Sequence, residues 1–185
     1  MSRLIDLSNS LGAAITAHLM PLLPLLARLV FAGVLLTYFW NSARTKLGDG
    51  LTGFLFPSNG AYIQVFPRLM ESLGYDSSQL SGFHWLVVLF GMWAEFILPL
   101  LIVAGLLTRL AALGMAGFIL VQSLTDVFGH AVGGDDLGRW FDAASGALIL
   151  DQRALWLLLL AVLAICGGGW LSADRLLLRS SDWPT

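Results

Sequence analysis

The sequence predicts an all-α, polytopic membrane protein, folded as one domain over residues 1–185 into an antiparallel bundle of four transmembrane helices. The first observation is composition: 57% of the residues are hydrophobic and 12% are charged, whereas about 25% are charged in an ordinary soluble domain. The second is that four segments approach the roughly 20 apolar residues needed to cross a hydrocarbon core. The predicted spans cover approximately residues 22–40, 84–106, 110–127 and 154–171.

The third observation is the placement of Trp and Tyr, which collect at the boundary between membrane and water. In an alternating bundle, one interface holds Tyr38, Trp40, Trp85 and Trp156, and Trp170 marks the other interface. This distribution supports four spans independently of hydrophobicity.

The connections between the predicted spans differ in length. The segment AGLLTRLAALG leaves almost no loop between the second and third spans, so these two helices should form a tight antiparallel hairpin. The connections 41–83 and 129–153 are long, and both emerge on the side of the Trp belt, where we expect two longer loops to cap the bundle. Apolar residues at helical spacing before the first span predict an N-terminal interfacial helix, with a frayed tail as the alternative. They are Leu4, Leu7, Leu11, Ile15 and Leu19.

Composition also excludes several kinds of function. The formal net charge is −2 and the ten basic residues are scattered, so nucleic acid is not an expected partner. Cys166 is the only cysteine, which excludes an internal disulfide and dithiol chemistry within the chain. The His, Asp and Met residues in and near the spans have no recognised ligand spacing, so no metal site is expected.

A carboxylate lies in the middle of the second predicted span, in GMWAEFILPLL. An ionised Glu95 facing lipid near the bilayer midplane would cost about 2.5 kcal/mol or more, so it must be protonated, paired or turned into the bundle. Arg28 is the basic residue at comparable depth, and we predict an Arg28–Glu95 ion pair, with Arg109 as the competing partner. Pro99 cannot donate to the Glu95 carbonyl, which predicts a kink at the same turn. The pair either fixes helix register only or also borders a ligand pocket.

A second polar group is expected toward the capped side. Gln122 and Asp126 lie one turn apart on the third span, and Asn41, His84 and His130 fall at comparable depth. These residues could line the mouth of a pocket between the spans and the cap. The alternative is ordinary solvation, because the ends of membrane spans are normally polar.

The ordered features resemble the DoxX family of small four-helix integral membrane proteins. The resemblance is carried by LLARLVFAG, which includes Arg28, by AEFILPLLIVAGLLTRLAALGMAGFIL, and by GGGWLSADRLL near the C-terminus. It implies a compact four-helix bundle with Arg28, Glu95 and Arg109 as matching polar positions. The connection 41–83 is longer than the usual first connection of the family.

The resemblance also implies a range of functions. Members are associated with thiosulfate oxidation coupled to quinone, with complexes that link oxidative-stress enzymes to thiol chemistry, and with metal-handling or peptide-modifying operons. We therefore expect a redox-linked subunit of the bacterial inner membrane that binds quinone or a similar lipophilic ligand within the bundle, with no covalent cofactor. Catalysis would be at most that of a subunit of a quinone-linked oxidoreductase.

Other interpretations stay open. A non-catalytic scaffold or assembly factor is favoured by the absence of a nucleophile–base arrangement, a cofactor motif and a cysteine pair. Proton or solute transport and metal handling are weaker alternatives. The expected partners are the lipid bilayer and membrane or soluble redox proteins. A second copy of the chain is a further candidate, which the transport interpretation would require. Lys and Arg near the span ends are nearly even between the two sides, and we place both termini in the cytoplasm.

Overall fold

The computed structural model describes residues 2–181, and all regular secondary structure within that range is helical. Four helical stretches are long and apolar enough to cross a membrane. They are Ser8–Lys46, Gly82–Ala104, Thr108–Gly129 and Leu148–Cys166. The predicted all-α architecture with four spans is confirmed.

The first span is longer than its hydrophobic segment predicts. Helix α1 (Ser2–Leu19) leads through a 3₁₀ turn into α2 (Leu23–Phe31), a π-helical turn (Ala32–Leu36) and α3 (Thr37–Lys46). The helix continues to Lys46 because the sequence after Trp40 contains Ala, Arg and Lys, which favour helix although they are not apolar. The predicted helix at the N-terminus is present, and its position in the membrane interface stays a prediction.

The second and third spans form the predicted tight hairpin. Helix α4 (Asn59–Val65) and helix α5 (Pro67–Ser72) belong to the first cap, and α6 (Gly82–Ala104) is the second span. Helix α6 ends at Gly105, whose φ of 71° is a left-handed conformation that glycine adopts without strain. Helix α7 (Thr108–Leu124) follows directly and ends in a π-helical turn, Thr125–Gly129.

The fourth span begins with a π-helical turn at Leu148–Gln152 and continues as α9 (Arg153–Cys166). The helix ends there, not near residue 171, because Gly167 and Gly169 both have φ of 76° and break the helical path. The backbone of residues 167–172 is therefore free to bind side chains. Helix α10 (Ala173–Ser181) follows this segment.

The bundle has a continuous core. The first span packs against the second and fourth, and the third span packs against the same two neighbours. Phe39 reaches the centre, where its ring lies 6.1 Å from that of Phe118 and 6.3 Å from that of Trp156. In lipid such packing acts mainly through van der Waals contact, since burial from water adds little there. The most buried core side chains include Phe31, Leu35, Met115, Ile119, Leu160 and Leu163.

The two long connections form a cap on one side, and much of the first is ordered. It contains α4, α5 and two short 3₁₀ turns. The indole nitrogens of Trp85 and Trp93 on α6 donate to the carbonyls of Leu55 and Phe54 at 3.0 and 2.8 Å. The second connection contains the short helix α8 (Gly134–Leu137).

Candidate functional site: a polar cleft between the second and third spans

The buried carboxylate of Glu95 is paired with Lys46. The Lys46 Nζ donates to both carboxylate oxygens of Glu95, at 3.0 and 2.9 Å. Ser42 Oγ donates to Glu95 Oε1 at 3.0 Å and accepts from Lys46 Nζ at 2.8 Å. The two charged side chains are only 8% and 2% exposed. Each charge therefore has a partner in a region where an isolated charge would be costly.

The predicted Arg28–Glu95 ion pair is wrong. Arg28 is buried, but its guanidinium binds main-chain carbonyls at the end of the bundle opposite the cap, which we call the terminal side. Arg109 does not contact Glu95 either. Arg28 donates to Ile102 O at 3.1 Å and Val103 O at 2.6 Å near the end of α6. It also donates to the carbonyls of Gly168 and Leu171 after α9.

The reason for this difference is local. The last carbonyls of α6 and the non-helical backbone after Gly167 need donors, and the planar guanidinium supplies several in fixed directions. Lys46 is free to reach Glu95 because the first helix extends to the capped side.

Glu95 borders a cavity of about 450 Å³, which we call the polar cleft. Ser42, Lys46 and Glu95 form one polar part of the lining. The walls are mostly apolar and come from α6 and α7. They are Val87, Phe90, Gly91, Ala94 and Leu98 of α6, and Gly114, Gly117, Phe118 and Val121 of α7. Phe90 and Val121 are 59% and 62% exposed, so the cleft reaches the outer surface of the two spans, which faces lipid.

Gln122 has an unsatisfied polar atom in this cleft. Its Nε2 donates to the Tyr38 hydroxyl at 3.1 Å, which fixes the amide, and its Oε1 is buried without a hydrogen-bond partner among the described residues. A buried amide oxygen without a donor is costly. Because this oxygen has no exposed surface, a hydroxyl or N–H group of a ligand in the cleft would reach it only if the Gln122 side chain turned.

Asp126 and His130 complete the lining near the cap. Asp126 forms an ion pair with Arg153, which also donates to Ser123 Oγ at 2.9 Å. His130 Nε2 lies 2.9 Å from Gln64 O, and this contact ties the end of the third span to α4. The structure thus brings Glu95, Gln122, Asp126 and His130 to one cavity.

The other predicted polar residues lie elsewhere. Asn41 is exposed and accepts from Arg44, and His84 contacts Ser81 at the start of α6 and the ring of Phe66. Neither residue lines the cleft, so their predicted place at its mouth is wrong.

Two further predicted positions have clear structural settings. Arg109 is exposed and lines a groove at the terminal side. Pro99 is buried within a helix that continues to Ala104. One turn away, Trp40 Nε1 donates to Phe96 O at 3.2 Å. The kink at Pro99 stays a prediction.

The basic partners of Glu95 and Asp126 were not predicted from the sequence. Lys46 and Arg153 both lie in segments read as connections, since hydrophobicity alone set the span limits. A signal was available for Lys46: Ser42 and Lys46 are four residues apart and therefore share one helix face. In residues 2–181, no three His, Cys, Asp or Glu residues are grouped closely enough to hold a metal ion.

The four spans and the polar cleft between two of them define a multi-pass integral membrane protein with a ligand-sized cavity. A family model described as DoxX matches residues 23–131, which is more than half of the chain. The chain belongs to the DoxX family. No curated protein and no solved structure matches it.

Proposed function

We propose that this DoxX protein binds a quinone, or a similar lipophilic molecule with a polar head, in the polar cleft. It would act as a redox-linked subunit in the bacterial inner membrane, with both termini in the cytoplasm and with membrane or soluble redox proteins as partners. The observation that carries the proposal is a largely apolar cavity, open toward lipid, that is lined by a buried Lys–Glu pair and by Gln122, whose amide oxygen is buried without a partner among the described residues.

The size and lining of the cleft support this class of ligand. Its volume of about 450 Å³ falls within the range of about 300–1,000 Å³ that is typical of small-molecule sites. Such sites combine apolar walls with a few placed polar groups, as here. A ligand with an apolar tail could enter from the bilayer between Phe90 and Val121 without crossing water.

The polar groups suit the head of a quinone or quinol. The three N–H groups of Lys46 are taken up by Glu95 and Ser42, so Lys46 would donate to a ligand carbonyl by exchanging one of these bonds. Gln122 Oε1 would accept from a ligand hydroxyl once the side chain turns into the cleft. Glu95 can accept a proton or a hydrogen bond from the same ligand while Lys46 holds its charge. A bound quinone supplies the two-electron redox chemistry, and the protein positions the head and provides its proton partners.

The experiment fills the cleft without disturbing charge. A Cβ added at Gly91 or Gly117 would meet no atom within 4 Å, and both residues line the cleft. Gly91→Leu and Gly117→Leu should lower the affinity of a short-chain quinone or quinol by at least tenfold, measured by tryptophan fluorescence in detergent. Gly33→Leu is the matched control, because Gly33 also has open space around its Cβ position but lies outside the cleft. Absence of binding to the wild-type protein, or equal affinity in all three variants, would refute the proposal.

The second candidate is a non-catalytic scaffold or assembly factor. The observation that favours it is that Glu95 already has two hydrogen-bonding partners, Ser42 and Lys46. In this interpretation the pair holds the first and second spans together and no ligand is needed. The scaffold interpretation predicts that Gly117→Leu leaves the cellular phenotype of the wild type unchanged while Glu95→Gln impairs it through folding. The ligand interpretation predicts that both variants impair it.

A further inference from the structure

A second concave site lies at the opposite end of the bundle. This groove, which we call the terminal groove, has a volume of about 870 Å³. It lies where the turn after α6, the glycine segment after α9 and the start of α2 meet. It shares no lining residue with the polar cleft. Its chemistry can therefore be considered separately.

Two guanidinium groups border this groove without a carboxylate partner among the described residues. Arg109 and Arg175 are exposed and line the groove. The ion pairs Lys46–Glu95 and Arg153–Asp126 do not involve these arginines. Arg109 lies next to the glycine segment, because a Cβ on Gly167 would be 3.4 Å from Arg109 Nε.

The one acid of the groove does not offset these two charges. Asp174 accepts from the backbone of Leu107 and Thr108 at 2.6 and 3.0 Å and from Thr108 Oγ1 at 2.8 Å. It also interacts electrostatically with Arg28. Arg109 and Arg175 carry two positive charges against the one negative charge of Asp174, so the lining of the groove has an excess of positive charge.

The remaining lining is suited to lipid. Trp170 is 56% exposed at the end of the fourth span, where indole rings favour the headgroup region. Met20, Pro21, Leu110 and Leu177 supply apolar surface beside the arginines. Basic side chains next to apolar surface at a span end fit a phospholipid, because they can contact its phosphate group and the upper part of its acyl chains.

We propose that the terminal groove is a binding site for an anionic phospholipid, with Arg109 and Arg175 as ligands of the headgroup phosphate. The apolar residues at its edge contact the acyl chains, and Trp170 lies at the level of the headgroup. The site is distinct from the polar cleft and does not depend on what the cleft binds.

The test measures lipid preference in mixed micelles by native mass spectrometry. The wild-type protein should retain phosphatidylglycerol in preference to phosphatidylcholine, and Arg109→Gln/Arg175→Gln should reduce that preference roughly tenfold. The control is Arg68→Gln/Arg139→Gln, which removes the same charge from exposed arginines of the capped side. Arg109→Lys/Arg175→Lys keeps the charge and should retain most of the preference.

Each alternative outcome is decisive. An equal loss of preference in the two double-Gln variants would show a general charge effect and overturn the site. Displacement of bound phosphatidylglycerol by millimolar inorganic phosphate would show a site for free phosphate and would also overturn it. A normal melting temperature of Arg109→Gln/Arg175→Gln, expected because both residues are exposed, separates lost lipid binding from lost fold.

Discussion

At the scale of single residues, the main feature is that each buried charge has its own specific partner. Glu95 binds Lys46 and Ser42, whereas Arg28 binds four main-chain carbonyls. These two clusters lie at different levels of the bundle. The carboxylate therefore belongs to the cleft and the arginine to the terminal side.

The Lys46–Glu95 pair should be a strong determinant of stability. Glu95→Gln or Lys46→Met leaves one buried charge without its partner, which should lower the free energy of unfolding by about 3–5 kcal/mol. The double variant Lys46→Met/Glu95→Leu carries no charge there and should lose less than the sum of the single variants. Unfolding in micelles followed by circular dichroism measures all of them.

Arg44→Met provides the surface control for this cycle. Arg44 is exposed and lies on the same helix as Lys46, so the substitution should change stability by less than about 0.5 kcal/mol. Additive losses in the double variant would contradict a direct interaction between Lys46 and Glu95.

At the scale of helices and turns, the terminal side is organised by glycines. Gly105 ends α6 in a left-handed conformation and leaves room for the Arg28 guanidinium. A Cβ on Gly168 would lie 2.6 Å from both Thr108 Oγ1 and Ser172 Cβ, so this position also has no room for a larger side chain. The turn after the second span and the segment after the fourth span can therefore share one arginine.

Gly105→Ala should destabilise the protein for two reasons. A left-handed conformation costs alanine about 1–2 kcal/mol. In addition, the new Cβ would lie 2.8 Å from Arg28 Cζ and 2.7 Å from Ser172 Cβ. We expect a total loss of more than about 2 kcal/mol, since the Arg28 hydrogen bonds must also shift.

Gly74→Ala is the matched control for this substitution. Gly74 has φ of 60°, but a Cβ there would meet nothing within 4 Å. This variant should show the conformational cost alone, so its melting temperature should fall less than that of Gly105→Ala. Equal losses in the two variants would mean that the contact with Arg28 is unimportant.

At the scale of the whole molecule, Asp174 connects the C-terminal helix to the bundle at the terminal side. Its carboxylate joins α10 to the turn between the second and third spans through Leu107 and Thr108. Partial burial raises the pKa of Asp174, but the hydrogen bonds from Thr108 and Leu107 and the charge of Arg28 outweigh it, so the pKa lies below its ordinary value.

This lowered pKa predicts how stability depends on pH. The unfolded chain takes up a proton at Asp174 near pH 3.9, before the folded protein does. The contribution of Asp174 is therefore complete above about pH 5 and is lost as the pH falls through the unfolded pKa toward the lower, folded pKa. Asp174→Asn should reduce stability at pH 7 and show a smaller further loss between pH 5 and 3 than the wild type. If the melting temperatures of the two proteins fell by the same amount between pH 5 and 3, this role of Asp174 would be contradicted.

The sequence predicted the spans and several cleft residues because their signals are local. Long apolar segments must cross the bilayer, and Gln122 and Asp126 share a helix face by their spacing alone. The partner of Glu95 could not be obtained in this way. Depth along the span predicted Arg28 as the partner. In the structure, the long side chain of Lys46 at the capped end of the first span reaches Glu95 instead.

By itself, the sequence determined an all-helical membrane bundle with a carboxylate inside it, since hydrophobic length and the cost of a buried charge are set by residue type and order. Only the tertiary structure decided which cation meets that carboxylate and where the cavity opens. Both depend on where the helices extend beyond their apolar segments and on which carbonyls lack donors. In this protein those carbonyls bind Arg28 at the terminal side and leave Glu95 to Lys46 at the polar cleft.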